Sequence, residues 1–237
     1  LILVASYPRF LDGEIQKTNW KLIRGRLTSI FGELIRSLRS RKIMSIIGSL
    51  STYSGYYKAI KDYLQPMIAV WALTLPFLGG LGDEQRTSVM VGILFFVVYM
   101  MSSIASRYSG KFSDRFASTA APMNYTLIMG LACGVLSGLL YNSELMTLSI
   151  ILFIAVYMVE NIRKPVGVAF LGSKVEKNIL ASILSVDSQA KSLVAAIFAL
   201  VFGIFADLYG VGLSVMMVSL GVLLISPLMM LKAEKKK

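Results

Sequence analysis

The chain has 237 residues, of which 56% are hydrophobic and only 16% charged, with a formal net charge of +11 and a mean hydropathy of +0.70. Soluble domains carry about 25% charged residues, so a water-soluble globule is excluded, while the length accommodates about six spans of roughly 20 residues each. A single cysteine, Cys133, and no histidine leave no disulfide framework, no thiol metal site and no histidine base, and no cofactor or metal is expected.

In chain order, residues 1–6 of the opening "LILVASYP" read as the end of a transmembrane helix that begins upstream, since no basic leader precedes them. Residues 7–42 read as a basic cytoplasmic linker. Within it Leu22, Ile23, Leu27, Ile30, Phe31, Leu34, Ile35 and Leu38 recur close to helical spacing. Gly25, Ser29, Arg36 and Ser40 lie opposite, which predicts a basic amphipathic helix resting on an anionic leaflet.

The first span is expected from Ile43 to about Gln65. Ser51, Ser54, Lys58, Lys61, Asp62 and Gln65 recur in it mostly at steps of three and four, flanked by Tyr57, and so form one stripe along a helix. A charge at the centre of a lipid-facing helix costs about 2.5–3.5 kcal/mol, so this stripe is expected to face protein or a water-filled passage. With the span ending near Gln65, Lys61 and Asp62 lie about one turn from its outer end, where Lys61 could snorkel outward. Residues 63–82 are uncharged and long enough to span but contain Pro66 and Pro76, and are expected to lie on, or dip into, the outer interface.

Ser88–Ser106 gives the second span, followed by a loop, residues 107–115, that carries Arg107, Lys111, Asp114 and Arg115. Ser118–Tyr141 is the third span and Leu145 to about Pro165 the fourth, with Glu160, Asn161, Arg163 and Lys164 clustered near its end. Ile179–Ala206 is the fifth, in which Asp187 and Lys191 stand four apart and can pair on one face. Asp207 and Gly210 mark a tight turn before the sixth, Leu208–Leu231. Residues 232–237 form a basic tail.

With six spans, 20 of the 24 lysines and arginines fall on one side, in the linker, the 107–115 loop, residues 160–177 and the tail. The opposite side receives Arg86 against Asp83, Glu84, Glu144 and Asp207. By the positive-inside rule the basic side is cytoplasmic, in a multi-pass protein of the cell membrane. Because the basic residues sit mostly in loops between apolar runs, the net charge points to lipid and not to nucleic acid.

Gly110-x-x-x-Asp114-Arg115, between the second and third spans, resembles the signature loop of the major facilitator superfamily of secondary transporters. The family's further glycine and two basic residues are replaced by Ala117, Thr119 and Ala120. A second Gly-x-x-x-Asp, Gly203 to Asp207, falls at the equivalent place in an inverted repeat. Residues 161–196, "NIRKPVGVAFLGSKVEKNILASILSVDSQAKSLVAA", also look like the family's fourth-to-fifth helix junction. The resemblance implies an all-α polytopic bundle, residues 43–231, built as a 3+3 inverted repeat. It further implies that the chain is the C-terminal half of a twelve-helix transporter whose N-terminal half is a partner absent from the sequence.

On that resemblance the first and fourth spans line the cavity. Tyr57, Lys58, Lys61, Asp62, Gln65, Glu160, Asn161 and Arg163 are the substrate and coupling candidates, and Gly110, Asp114, Arg115, Asp187 and Lys191 serve gating or packing. Five in-span cations against three acids lean toward an anionic small solute, with H+ or Na+ as coupling ion. The expected function is secondary transport by alternating access, and not catalysis. Competing classes are a non-transporting scaffold or sensor with the same fold and, with neither histidine nor a paired-acid motif to support it, a membrane-embedded enzyme. "SGKF" lacks the first glycine and the Ser/Thr of a phosphate loop, which disfavours a nucleotide-driven pump.

Overall fold

In the computed structural model the described residues are 32–76, 80 and 82–232. Among them every regular element is helical. After α1 (residues 32–39) come α2 (Arg41–Ile60), a 3-10 turn (Lys61–Tyr63), α3 (Leu64–Thr74), α4 (Asp83–Ser113), α5 (Ala121–Asn142), α6 (Met146–Gly172), α7 (Leu180–Tyr209) and α8 (Val211–Ile225). A second 3-10 turn, Ser226–Met229, extends α8. Five of these helical stretches, α4 to α8, are long and apolar enough to cross a membrane, so the chain is an all-α membrane-type protein.

The stretch expected at the outer interface behaves differently. Backbone angles stay right-handed helical through the Lys61–Tyr63 turn, so α2 and α3 form one helical path from Arg41 to Thr74. Pro66 sits in the first turn of α3, where a missing N–H costs little. Leu64, Met67, Ile68 and Ala72 continue the buried line of α2 into the core. Trp71 Nε1 donates to Thr147 Oγ1 of α6 at 3.0 Å. The extension moves Lys58 to mid-path and sets Lys61 and Asp62 about three turns from the outer end. The short outward reach expected of Lys61 is gone.

The other boundaries shift for identifiable reasons. α4 begins at Asp83, with Asp83 and Glu84 in its first turn, and ends with Lys111 in its last, charges that complement the helix dipole. Arg107 and Lys111 are therefore helical, and the connection shrinks to residues 114–120. α6 runs through Pro165 to Gly172. α7 carries Asp207 inside its last turn, so the turn proper is Gly210 alone, at φ +82°. Of the amphipathic linker helix only residues 32–39 are described. There Leu34 and Leu38 pack against a core cluster that includes Ile43, Ile47 and Phe170 instead of lying free on a surface.

α2 packs on α7, α4 on α6, and α5 on both α6 and α8. At the α5–α8 seam the two backbones meet. A Cβ at Gly138 would meet the backbone nitrogen of Met216 and lie 2.6 Å from Gly212 O, so no other side chain fits. Gly130 and Gly134, on the same face of α5, receive the rings of Tyr53 and Tyr56 from α2. The 107–116 segment and Glu144 lie at opposite ends of the molecule. Asp114 borders Ala169, Phe170 and Ser173 at the C-terminal end of α6, whereas Glu144 precedes the first turn of that helix.

Candidate functional site

A cleft of about 450 Å³ opens between α2, α6 and α7, lined by Ser54, Tyr57 and Lys58 from α2, Glu160, Asn161 and Lys164 from α6, and Asp187, Ser188 and Lys191 from α7. It adjoins a second hollow of about 470 Å³ bounded by Tyr57, Lys58, Lys61, Asp62 and Gln65, with Phe95 and Tyr99 of α4 and Tyr157 of α6. Tyr57 and Lys58 belong to both. Lys58, Glu160, Lys191 and Tyr99 each fall within about one turn of the midpoint of their helical run. Lys58, Glu160 and Lys191 are thus gathered near the middle of their helices, with Asp187 about two turns from the middle of α7.

The helical stripe predicted for the first span is realised as one wall. Along the path from α2 into α3, Ser54 and Lys58 line the first hollow and Lys58, Asp62 and Gln65 the second, while Ser51 is buried outside both. Ser54 Oγ donates to Glu160 Oε1 at 2.7 Å. Glu160 is 7% exposed, and its Oε2 has no hydrogen-bond partner. Asp187, 3% exposed, holds Lys191 at 2.5 Å and leaves Oδ1 without a hydrogen bond. Lys58 Nζ donates to Ser192 Oγ of α7 at 3.3 Å. Lys61 stands 4.0 Å from Asp62, both side chains well exposed, a geometry that contributes little. Tyr157 closes the floor, its hydroxyl donating to Lys61 O at 2.9 Å and its ring edge-on to Tyr57 at 5.1 Å.

Asp187 and Lys191, expected to serve gating or packing, line the same cleft as Lys58 and Glu160. Arg163 goes elsewhere. It is 1% exposed and points between α2 and α5, where Nη2 donates to Ser49 O at 3.0 Å and Ser49 Oγ at 2.9 Å. Nη1 donates to Thr126 Oγ1 at 3.1 Å and to Met123 O, and the guanidinium lies 5.4 Å from the Tyr53 ring centre. Arg163 is three residues past Glu160, and Pro165 lets the helix continue, so the two charges occupy adjoining faces of one helix.

Gly110 and Asp114 line a separate groove against Pro165–Ser173, and Arg115 follows in the exposed turn. Gly203 is helical with open space around it. Reading the sequence missed Phe95, Tyr99 and Tyr157 as cleft residues. They sit in uncharged runs whose periodicity does not separate a cleft aromatic from a lipid-facing one. The α5 glycines were overlooked too, although their four-residue spacing is a known signal for close helix approach.

Among the described residues no group of three or more Cys, Asp or Glu side chains is placed to hold a metal ion. What the cleft offers is a set of ammonium and carboxylate groups with hydroxyls and aromatic edges, able to bind a small polar or charged molecule. No protein-family model matches the sequence, and no curated protein matches it.

Proposed function

We propose that the chain is a six-span half of a secondary transporter of the major facilitator kind, which moves a small solute by alternating access. The observation that carries the reading is the convergence of Lys58, Glu160, Asp187 and Lys191 from three helices on one open cleft at mid-depth. Ionised side chains inside membrane helices are costly and mark solute or ion pathways, and transporter sites lie near the bilayer midplane.

In this reading the Arg41–Thr74 path supplies the sixth span, and the bundle is a 3+3 inverted repeat. The contact pattern supports it. The first span lies on the fifth as the fourth lies on the second, and the third lies on the sixth, pairings that a two-fold exchange of the halves reproduces, whereas the close third–fourth packing has no sixth–first counterpart. A second six-helix bundle closes the cleft, and the end bearing Arg41, Lys42, Arg115, Lys174 and Lys232 faces the cytoplasm. Gly110, Asp114 and Arg115 serve the gate at that end. Glu160 or Asp62 carries the coupling proton, or with their neighbours a sodium ion. The cation surplus favours an anionic solute.

Counterflow in proteoliposomes carrying the protein as its gene encodes it tests the reading. Preloaded anion should drive uptake of labelled anion, and Lys58→Ala should abolish it. Failure of anionic, neutral and cationic panels to exchange, with the protein folded, would leave a scaffold or sensor as the better description.

A further inference from the structure

The two hollows that meet at Lys58 differ in chemistry. On the α7 side are charges. Lys191 is paired with Asp187, and Arg163 lies one turn beyond Glu160 and acts on its charge, as do Lys164 and Lys191. In the other hollow Lys61 stands beside Asp62. Matching each acid with one cation leaves Lys58 and Lys164 over, and neither forms an ion pair among the described residues. Both are exposed in the cleft, so their ammonium groups are open to an anion that enters it.

On the α4 side are aromatic rings. Tyr57 and Tyr157 meet edge to face at 5.1 Å, and Phe95 lies 6.0 Å from Tyr99. Tyr99 is 65% exposed, at mid-depth and on the rim of the hollow that Lys58 shares. Four rings from three helices line this hollow opposite Lys61, Asp62 and Gln65, and they can take a flat ring edge-on or offset-stacked.

We infer that the cleft takes an aromatic organic anion, its carboxylate or comparable acid group at Lys58 and Lys164 and its ring against Tyr57, Phe95 and Tyr99. This rests on the reading of the cleft as a transport site, but it makes a separate claim about what fits. Lys58 is the pivot because it alone supplies a charge to both hollows. A small aliphatic anion fills only the charged side, and an aromatic amine places its cation against Lys58.

The test measures binding and exchange separately, with radiolabelled phenylacetate as probe and acetate, phenylethylamine and toluene-like neutral amides as competitors. Equilibrium dialysis on detergent-solubilised protein should show phenylacetate bound and displaced by benzoate and cinnamate, but not by phenylethylamine. Lys58→Gln should weaken phenylacetate by about tenfold or more, the loss of a charge-assisted partner, whereas Lys58→Arg retains it. Tyr99→Ala should cost about three- to tenfold and Tyr99→Phe nothing, with acetate unaffected by either. Both positions are exposed in the cleft, and unchanged thermal melting confirms that the variants fold.

Binding together with counterflow supports both claims. Binding without counterflow leaves the aromatic-anion site standing and removes the transport reading. Exchange of aliphatic anions, neutral solutes or amines with no phenylacetate binding overturns the inference while transport stands. No binding of any aromatic anion also overturns it.

Discussion

The guanidinium of Arg163 sits 5.4 Å from the centre of the Tyr53 ring and donates on its other side to Ser49, Met123 and Thr126. One buried cation thereby joins α2, α5 and α6 through two backbone carbonyls and two hydroxyls. Charge-assisted hydrogen bonds of this kind are about twice as strong as neutral ones, and the ring face adds an electrostatic contact.

Removing that cation should be felt as instability and not as a change of specificity. Arg163→Ala is expected to cost about 3–5 kcal/mol, the usual penalty for breaking a buried charged cluster. Thermal melting in detergent measures it. Arg163→Lys should recover only part, since one ammonium cannot reproduce the fork that reaches Ser49 and Thr126 together. Combination with Ser49→Ala should be less than additive, and full additivity would show that the two do not act on each other.

The α5–α8 seam makes a sharper steric prediction. Gly138→Ala drives a methyl group into the backbone of α8, where no side chain can swing aside, and overpacking of this kind costs about 1–3 kcal/mol or more. Gly203→Ala and Gly221→Ala meet nothing within 4 Å and should leave the melting temperature unchanged or raise it slightly. Equal behaviour of all three would contradict the close approach.

Asp187 and Lys191 should behave as a unit. Their side chains are 4% and 12% exposed, so Asp187→Asn strands an ammonium and Lys191→Met strands a carboxylate, each costing about 3–5 kcal/mol. The double variant Asp187→Asn/Lys191→Met removes both charges and should melt closer to the parent than either single variant. A double-mutant cycle with zero coupling energy would rule the pairing out.

At Gly210 the strain is in the backbone alone. Its φ is +82° and its ψ 167° with open space around it, backbone angles essentially confined to glycine, so Gly210→Ala and Gly210→Asn should each cost about 1–3 kcal/mol. Because it links α7 to α8, chemical denaturation of the reconstituted protein should show a lower midpoint with an unchanged slope.

Helix ends can be located by labelling. After Cys133→Ser, a cysteine at Arg115 and one at Glu144 should react with an impermeant maleimide from opposite faces of a sealed vesicle. Reaction of both from the same face would break the arrangement in which α6 separates them.

The class of the protein and the α2 stripe were legible in the sequence because both depend only on local composition and a 3.6-residue period. The Asp187–Lys191 pair was legible for the same reason, being four residues apart on one helix. The fate of Arg163 was not. Periodicity places it one turn from Glu160 but cannot say that the carbonyls of Ser49 and Met123 wait across the interface. Pro66 suggested a break because proline usually ends a helix, but the three-residue turn Lys61–Tyr63 places it in the first turn of α3, where Leu64, Met67 and Ile68 pack into the core. Tyr99 escaped notice because whether an aromatic in an uncharged run faces lipid or a cleft is decided by its neighbours in space.

The glycine contact between α5 and α8 has a mechanical meaning. Two helices that touch backbone to backbone cannot rotate or slide against each other without collision, so they behave as one stiff beam along the back of the bundle. α7, by contrast, buries only Ile183, Asp187 and Phe202 along 30 residues. If the cleft opens and shuts as the proposed transport requires, the flank carrying Lys191 should bear the motion while the α5–α8 keel holds still.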